Sequence, residues 1–444
     1  MGIVTYQQMP EGEAERAGFV SHVVERHRAS AMYRTAATAD EYYRQRNVTV
    51  NAYVKTLFGA DGGRFEDFTA SRLRIASNLF KRLNVQRCMY SLGNGVAFAE
   101  DPSLKERMGG GFDDAVRQAG MWALVHGLSF MMWNLDRVEV FPLTQFAPVW
   151  DEFTGELRAG VRFWRLDSES PLNAVLYEED GYTEYREGAG GLESAEGKKA
   201  YVTTYAQAPA DPAPVLLMSS NYGSLPIVPV WGGDARQSTL VGMRYAIDAY
   251  DLIKSGLVND VRDCAEVYWI VENAGGMSDR DLQRMRDRLL LTHIATADTE
   301  DGGSITPYRN EVPYQAREAV LKRLRDDIYQ DFGALDVHVI SAGATNDHID
   351  AAYQPLNEEA SEFERHIRNA VRALLKVQGA DDSPVFRREK ISNVKEQVDT
   401  VLMEAEYLDR ETVLRKLPNV DPEEVPTILK RLDGEESSLV MGGE

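Results

Sequence analysis

Cysteine is nearly missing from this chain of 444 residues: Cys88 and Cys264 are the two present. Two are too few for a disulfide scaffold or a cysteine-based zinc site, and the expectation is a reducing compartment. Long apolar runs are missing as well. A membrane helix needs about 18 or more such residues, and the longest candidate, residues 121–135, is interrupted by His126, Gly127, Ser129 and Asn134. The opening Met1-Gly2-Ile3-Val4-Thr5-Tyr6 carries no basic stretch followed by an apolar one, so no secretory signal is read. Tyr6 stands where N-myristoylation wants Ser or Thr. The expectation is a protein that stays in the cell that makes it, or in an assembly built there. Positive charge is scarce: 49 Lys and Arg face 70 Asp and Glu, a formal net charge of −21. Broad binding of nucleic acid needs the opposite surplus, because phosphates are neutralised by Lys and Arg.

Catalytic signatures are sparse too. The nearest approach to a phosphate loop surrounds Gly197-Lys198-Lys199, but Leu192 occupies the first glycine position and Lys199 the hydroxyl position. Asp298-Thr299-Glu300-Asp301-Gly302 lacks the ligand offsets and the closing Glu of a calcium loop, and reads as a hairpin turn. Asp347-His348-Ile349-Asp350 offers one or two ligands to a metal nuclease, with no second cluster to complete a site. The seven histidines form no His-Glu-x-x-His, and Gly-x-Ser-x-Gly is absent. No cofactor, no metal and no enzyme activity are expected.

What is present is 43% hydrophobic and 27% charged, ordinary for a globular chain of two or three domains. The first third reads as helical over residues 13–28, 39–56, 68–90 and 112–126, with Leu73, Ala76, Leu79, Phe80 and Leu83 marking the third stretch up to Gly93-Asn94-Gly95. Residues 129–205 alternate short Phe-, Val-, Tyr- and Trp-rich runs with Asp, Gly and Pro, which predicts a meandering antiparallel sheet. Residues 187–199 read as a loop tip. A long helix is predicted from about Ser238, roughly 27 residues or 40 Å of rod. Strands are expected at 267–271, 293–297 and 304–308, with a helix capped by Ser278 between the first two. A helix at 315–332 follows, then a loop at 337–353 without Lys or Arg. A long helix with Pro355 in its first turn runs to Gly379, and short charged helices end the chain.

That order of elements resembles the portal proteins of tailed double-stranded-DNA bacteriophages, the siphophage-type portal family. The blocks that carry the resemblance are residues 73–98 running into Gly93-Asn94-Gly95, and Ser224-Leu225-Pro226-Ile227-Val228-Pro229-Val230. Ala246-Ile247-Asp248-Ala249-Tyr250-Asp251 with Ser255 and Asn259-Asp260, and Thr412-Val413-Leu414-Arg415-Lys416-Leu417-Pro418-Asn419-Val420, complete the set. The resemblance implies an α+β, mainly α, portal fold assembled as a ring of about twelve copies. Residues 1–237 would be the wing, 238–266 the stem helix, 267–313 the clip, 314–336 the second stem helix and 337–353 the tunnel loop. Residues 354–379 would be a long wing helix and 380–444 the crown. The implied role is a channel for DNA packaging and ejection at a capsid vertex of the virion, assembled in the host cytoplasm, with no membrane. The implied partners are the large terminase ATPase, capsid and scaffolding proteins, and head–tail adaptors.

Site residues follow from this expectation. Val339, Ser341, Gly343, Thr345, Asn346, Asp347, His348 and Asp350 belong to the tunnel loop. Arg244, Asp248, Asp251 and Lys254 lie off the apolar stripe of the stem helix and are channel-lining candidates. Arg280, Arg284 and Arg288 recur every four residues, either as a stripe for an acidic partner or as partners of Asp279, Asp281 and Asp287. About twelve chains would carry on the order of −250 charges, which disfavours DNA adhesion. The rival readings are a head–tail adaptor ring without a translocation role, and a metal-dependent nuclease built on Asp347 and Asp350.

Overall fold

The structure is a computed structural model that describes residues 4–58, 63–66, 72–206, 215–263, 268–272, 304–308, 314–340, 345–390, 394–405, 407–417, 420 and 425–432, with 278, 280, 281, 283, 284 and 287. Helix takes 49% of the chain and strand 20%, so helix outweighs sheet as expected. In chain order the helices are α1 (Glu13–Ala29), α2 (Ala31–Tyr43), α3 (Val48–Ala52), α4 (Leu79–Leu92), α5 (Leu104–Arg107) and α6 (Phe112–His126). They continue with α7 (Arg244–Asp263), α8 (Tyr314–Asp331), α9 (Asn346–Val377), α10 (Val394–Glu404) and α11 (Arg410–Lys416). The chain divides into two compact units.

One unit comprises Met1–Ala39, Arg82–Val241 and Tyr329–Glu444. Its five-stranded sheet is a pure antiparallel meander: Phe146–Trp150, Leu157–Trp164, Asn173–Glu178, Gly181–Gly188 and Gly191–Ser194 pair in sequence order. Side chains alternate across it. Ala147, Val149, Ala159, Val161, Phe163, Ala174 and Leu176 face Phe19, Val20, Val23 and Val24 of α1. Phe146, Val175 and Tyr177 point the other way, to Phe130 and Phe141. The expected loop at 187–199 is instead partly a hairpin, because Gly191 to Ser194 pair back onto the preceding strand. A second sheet centres Leu128–Asn134 between Arg137–Pro142 and Ile227–Trp231. Its Met131, Trp133, Val228 and Val230 join Val116, Ala119 and Ala123 of α6, and Phe363, Ile367 and Val371 of α9, in one core.

Helix α9 is the main departure from the predicted order in this unit. It begins at Asn346 rather than at Pro355, so the second half of the expected 337–353 loop is helical. Thr345 caps it, with Oγ1 accepting from the His348 N–H at 3.4 Å. The apolar series Ile349, Tyr353, Leu356 and Ala360 is buried with Tyr90 and Leu335, and holds the early turns in place. Pro355 therefore sits inside the helix, exposed, where its ring removes one backbone bond without ending the element. The 32 residues make a rod of about 48 Å.

The other unit comprises Asp40–Lys81 and Gly242–Ile328. The helix predicted from Ser238 starts only at Arg244, and its 20 residues span about 30 Å rather than 40 Å. Gly242 at φ +90° turns the chain just before it, a conformation closed to helical residues. Tyr268–Glu272 pairs antiparallel with Ser304–Tyr308. Residues 293–297, the expected partner of that last strand, lie outside the described residues. The predicted helix at 39–56 is broken between Tyr43 and Val48, where Gln45 adopts φ +60° and the Asn47 side chain is drawn into the interior. Likewise residues 72–78 are extended, and the helix predicted from 68 starts at Leu79.

Candidate functional site

The polar interior of this second unit is built on one face of α7. Asp248, Asp251, Ser255 and Asn259 recur at three- and four-residue spacing and so share a stripe. The extended segment 72–78 runs antiparallel along it. Ser77 donates its N–H to Asp251 Oδ1 at 2.9 Å, Ile75 to Ser255 Oγ at 3.0 Å, and Leu73 to Asn259 Oδ1 at 2.9 Å. Asn259 Nδ2 returns a bond to the Leu73 carbonyl at 3.1 Å. The match is geometric. Two extended residues advance about 6.8 Å and four helical residues about 6 Å, so alternate amides meet successive side chains in three pairs. Amides with no sheet partner are thus satisfied by side chains.

The same stripe holds residues 42–49 of its own unit. Tyr42 donates its hydroxyl to Asp248 Oδ1, Thr49 Oγ1 donates to Asp248 Oδ2 at 2.7 Å, and Asn47 Nδ2 donates to Asp251 Oδ2. Asp251 is fully buried and Asp248 nearly so. Burial pushes the Asp251 carboxyl above its ordinary range, opposed by the bonds from Ser77 and Asn47. Burial also raises the Tyr42 phenol, reinforced by its bond to Asp248. The reading of Asp248 and Asp251 as channel-lining charges is therefore corrected: both carboxylates are consumed by donors of their own chain. Arg244 and Lys254 are partly exposed, the first above the Tyr42 ring and the second above Tyr250.

Beside this network lies a groove of about 620 Å³. Val50, Val54, Leu73, Leu252, Ile253 and Val320 form its apolar wall. Arg317 pairs with Asp260, and Arg72 with Glu66 at 2.8 Å, on its polar rim.

The remaining expected site residues are scattered. Arg280 and Arg284 are helical and exposed, with Arg284 at 3.7 Å from Asp281, and Ser278 bonds Asp281 at the start of that turn. Arg288 lies outside the described residues, as do Ser341 and Gly343. Val339 ends a 3₁₀ turn, Val337–Val339. Thr345 caps α9, while Asn346, Asp347, His348 and Asp350 form its first turn and the start of its second. Asp350 pairs with Lys390 Nζ at 3.1 Å, with both side chains exposed. Among the described residues, the grouping of three side chains able to hold a metal is Asp234, Glu362 and His366.

Sequence reasoning missed Tyr42, Asn47 and Ser77, whose roles depend on α7. The signal in the sequence is Asp251-x3-Ser255-x3-Asn259, polar residues at four-residue spacing along α7.

The family described as phage portal protein, SPP1 Gp6-like, matches residues 24–438, nearly the whole chain. The chain belongs to the phage portal protein family. It is 23% identical over 406 residues to the portal protein of Bacillus phage SPP1, covering 83% of this chain and 78% of that one. It is 24% identical over 215 residues to the portal protein of Clostridium phage phiCD119, covering 46% of this chain and 48% of that one. The family match takes in the whole α7 stripe, the hairpin of Tyr268–Glu272 with Ser304–Tyr308, and α9. Portal proteins are not a family of enzymes in the ordinary sense. No helix among the described residues is long and apolar enough to cross a membrane.

Proposed function

We propose that this chain forms a closed ring of about twelve copies at a capsid vertex and conducts double-stranded DNA during packaging and ejection. The observation that carries the reading is the family match over residues 24–438. Helices α7 and α8 would be the stem. The insert 267–313 would be the clip, where Arg280, Arg284 and Arg288 dock an acidic partner. The segment 337–345 ahead of α9 would be the loop that approaches DNA. With Asp248 and Asp251 internal, Arg244 and Lys254 are the stem charges left to line a lumen. At −21 per chain, such a ring repels a polyanion at long range, which suits a conduit through which DNA slides. Translocation energy would come from a separate terminase ATPase. Head–tail adaptors would bind the same assembly later, and capsid and scaffolding proteins would surround it in the virion.

The decisive experiment is electron microscopy of the purified full chain with a mass measurement on the same sample. The expected result is rings with a central hole and a mass on the order of 600 kDa, from 49.7 kDa per chain. Monomers under all salt conditions, or particles without a hole, would overturn the reading. So would intrinsic ATPase or nuclease activity.

A further inference from the structure

The geometry points to a divalent transition-metal site, with zinc as its natural occupant, formed by Asp234, Glu362 and His366. Glu362 and His366 are four residues apart on α9 and so share a face. Asp234 arrives from the turn that follows Ile227–Trp231. His366 Nε2 and Asp234 Oδ1 are 2.9 Å apart, and one ligand atom from each of the three residues lies within 4.8 Å of the others. A cation about 2.1 Å from each donor needs donor separations of about 3 to 4 Å. The arrangement is thus within a small side-chain adjustment of ligation.

The turn is held against the helix independently of any ion. Glu362 Oε1 accepts the Asp234 N–H at 2.6 Å, which leaves its second oxygen for a cation. Gly233 lies close to the same carboxylate: a Cβ there would sit 2.8 Å from that Glu362 oxygen. The His366 side chain is mostly buried, at 12% exposure, whereas Asp234 is open to solvent at 62%. One ligand is therefore fixed in the fold and one can close over an incoming ion.

The donor set selects the ion. Two carboxylate oxygens and an imidazole nitrogen suit zinc and its neighbours, while magnesium and calcium prefer oxygen alone. Arg365 bonds Asp234 Oδ2 at 2.5 Å and His366 bonds Oδ1. On binding, the imidazole would present the Nε2 lone pair to the metal with its proton on Nδ1. Arg365 would keep Oδ2 and orient the carboxylate as an outer partner. The two carboxylates offset the dication, with the Arg365 guanidinium remaining beside them as a further positive charge, and the ion would brace the 232–236 turn against the long helix.

The test uses the tag-free full chain, stripped with a chelator and titrated with zinc chloride. Calorimetry and metal analysis after desalting should give one zinc per chain. Asp234→Asn and His366→Ala should each weaken binding at least about 100-fold, while His348→Ala leaves it unchanged. Cobalt(II) should give a visible spectrum of nitrogen and oxygen ligation that His366→Ala abolishes. Because Asp234 is exposed, its variant should keep the wild-type far-ultraviolet circular dichroism and melting curve without metal. Failure to retain zinc after desalting would overturn the proposal and leave an ion triad with Arg365. Equal zinc binding by Asp234→Asn, His366→Ala and the wild type would overturn it too, by moving the metal elsewhere. Neither outcome bears on whether the chain forms a ring.

Discussion

Replacing Asp251 with Ala should release the extended segment 72–78 from α7, and the size of the effect follows from the donors left behind. Asp251 accepts the Ser77 N–H and the Asn47 amide, both buried. A buried donor left without a partner costs about 1–3 kcal/mol, so two cost about 2–6 kcal/mol. Some of that is returned, because the carboxylate is itself desolvated, as its raised pKa indicates. The net expectation is about 2–4 kcal/mol, a change of about 30- to 1,000-fold in the opening equilibrium. Ser255→Ala frees one partly buried amide and should cost about 1 kcal/mol, and Asn259→Ala, at the exposed end, less than that. Hydrogen exchange read on peptides covering 72–78 is the assay, with peptides from the five-stranded sheet as the internal reference. Protection should fall most for Asp251→Ala, less for Ser255→Ala and least for Asn259→Ala. Unchanged protection in Asp251→Ala, or a reversed order, would refute the account of α7 as the anchor of that segment.

Two further outcomes are expected. His27 donates Nε2–H to the Leu143 carbonyl at 2.8 Å, and burial lowers its pKa from 6.5 to about 4. The folded state then binds fewer protons than the unfolded one between those values. The contribution is complete above pH 6.5 and is lost by about 1.4 kcal/mol per pH unit as pH falls toward 4. His27→Gln should flatten the melting profile across that window, and superimposable profiles would count against the assignment. Pro355 is exposed inside α9, so Pro355→Ala restores a backbone donor without losing packing and should stabilise by up to about 3 kcal/mol. A lower melting temperature for that variant would show that the helix depends on the ring of Pro355.

Legibility differed from element to element for identifiable reasons. The meander from Phe146 to Ser194 was readable because its short Phe-, Val-, Tyr- and Trp-rich runs are separated by Asp, Gly and Pro, which is a strictly local property. The end of α4 at Gly93 was readable for the same reason. Its start was not: Leu73, Ala76, Leu79 and Phe80 carry a helical spacing, yet residues 72–78 are extended. Pro355 was read as a beginning and stands well inside a helix, because burial of Ile349 and Tyr353 outweighs one missing bond. Asp234 stands 132 residues from His366, so no local spacing in the chain connects the two.

The portal resemblance, the acidic balance, the polar positions of α7 and the punctuated apolar runs of the sheet region were legible in the chain alone, since each is written in neighbouring residues or in composition. The tertiary structure decided which of those polar groups stay free. Asp251, Ser255 and Asn259 meet their amide donors across 174, 180 and 186 residues of chain. Local periodicity carries no record of such pairing, because a backbone amide has the same chemistry at every position and is claimed by whichever acceptor the fold brings within reach.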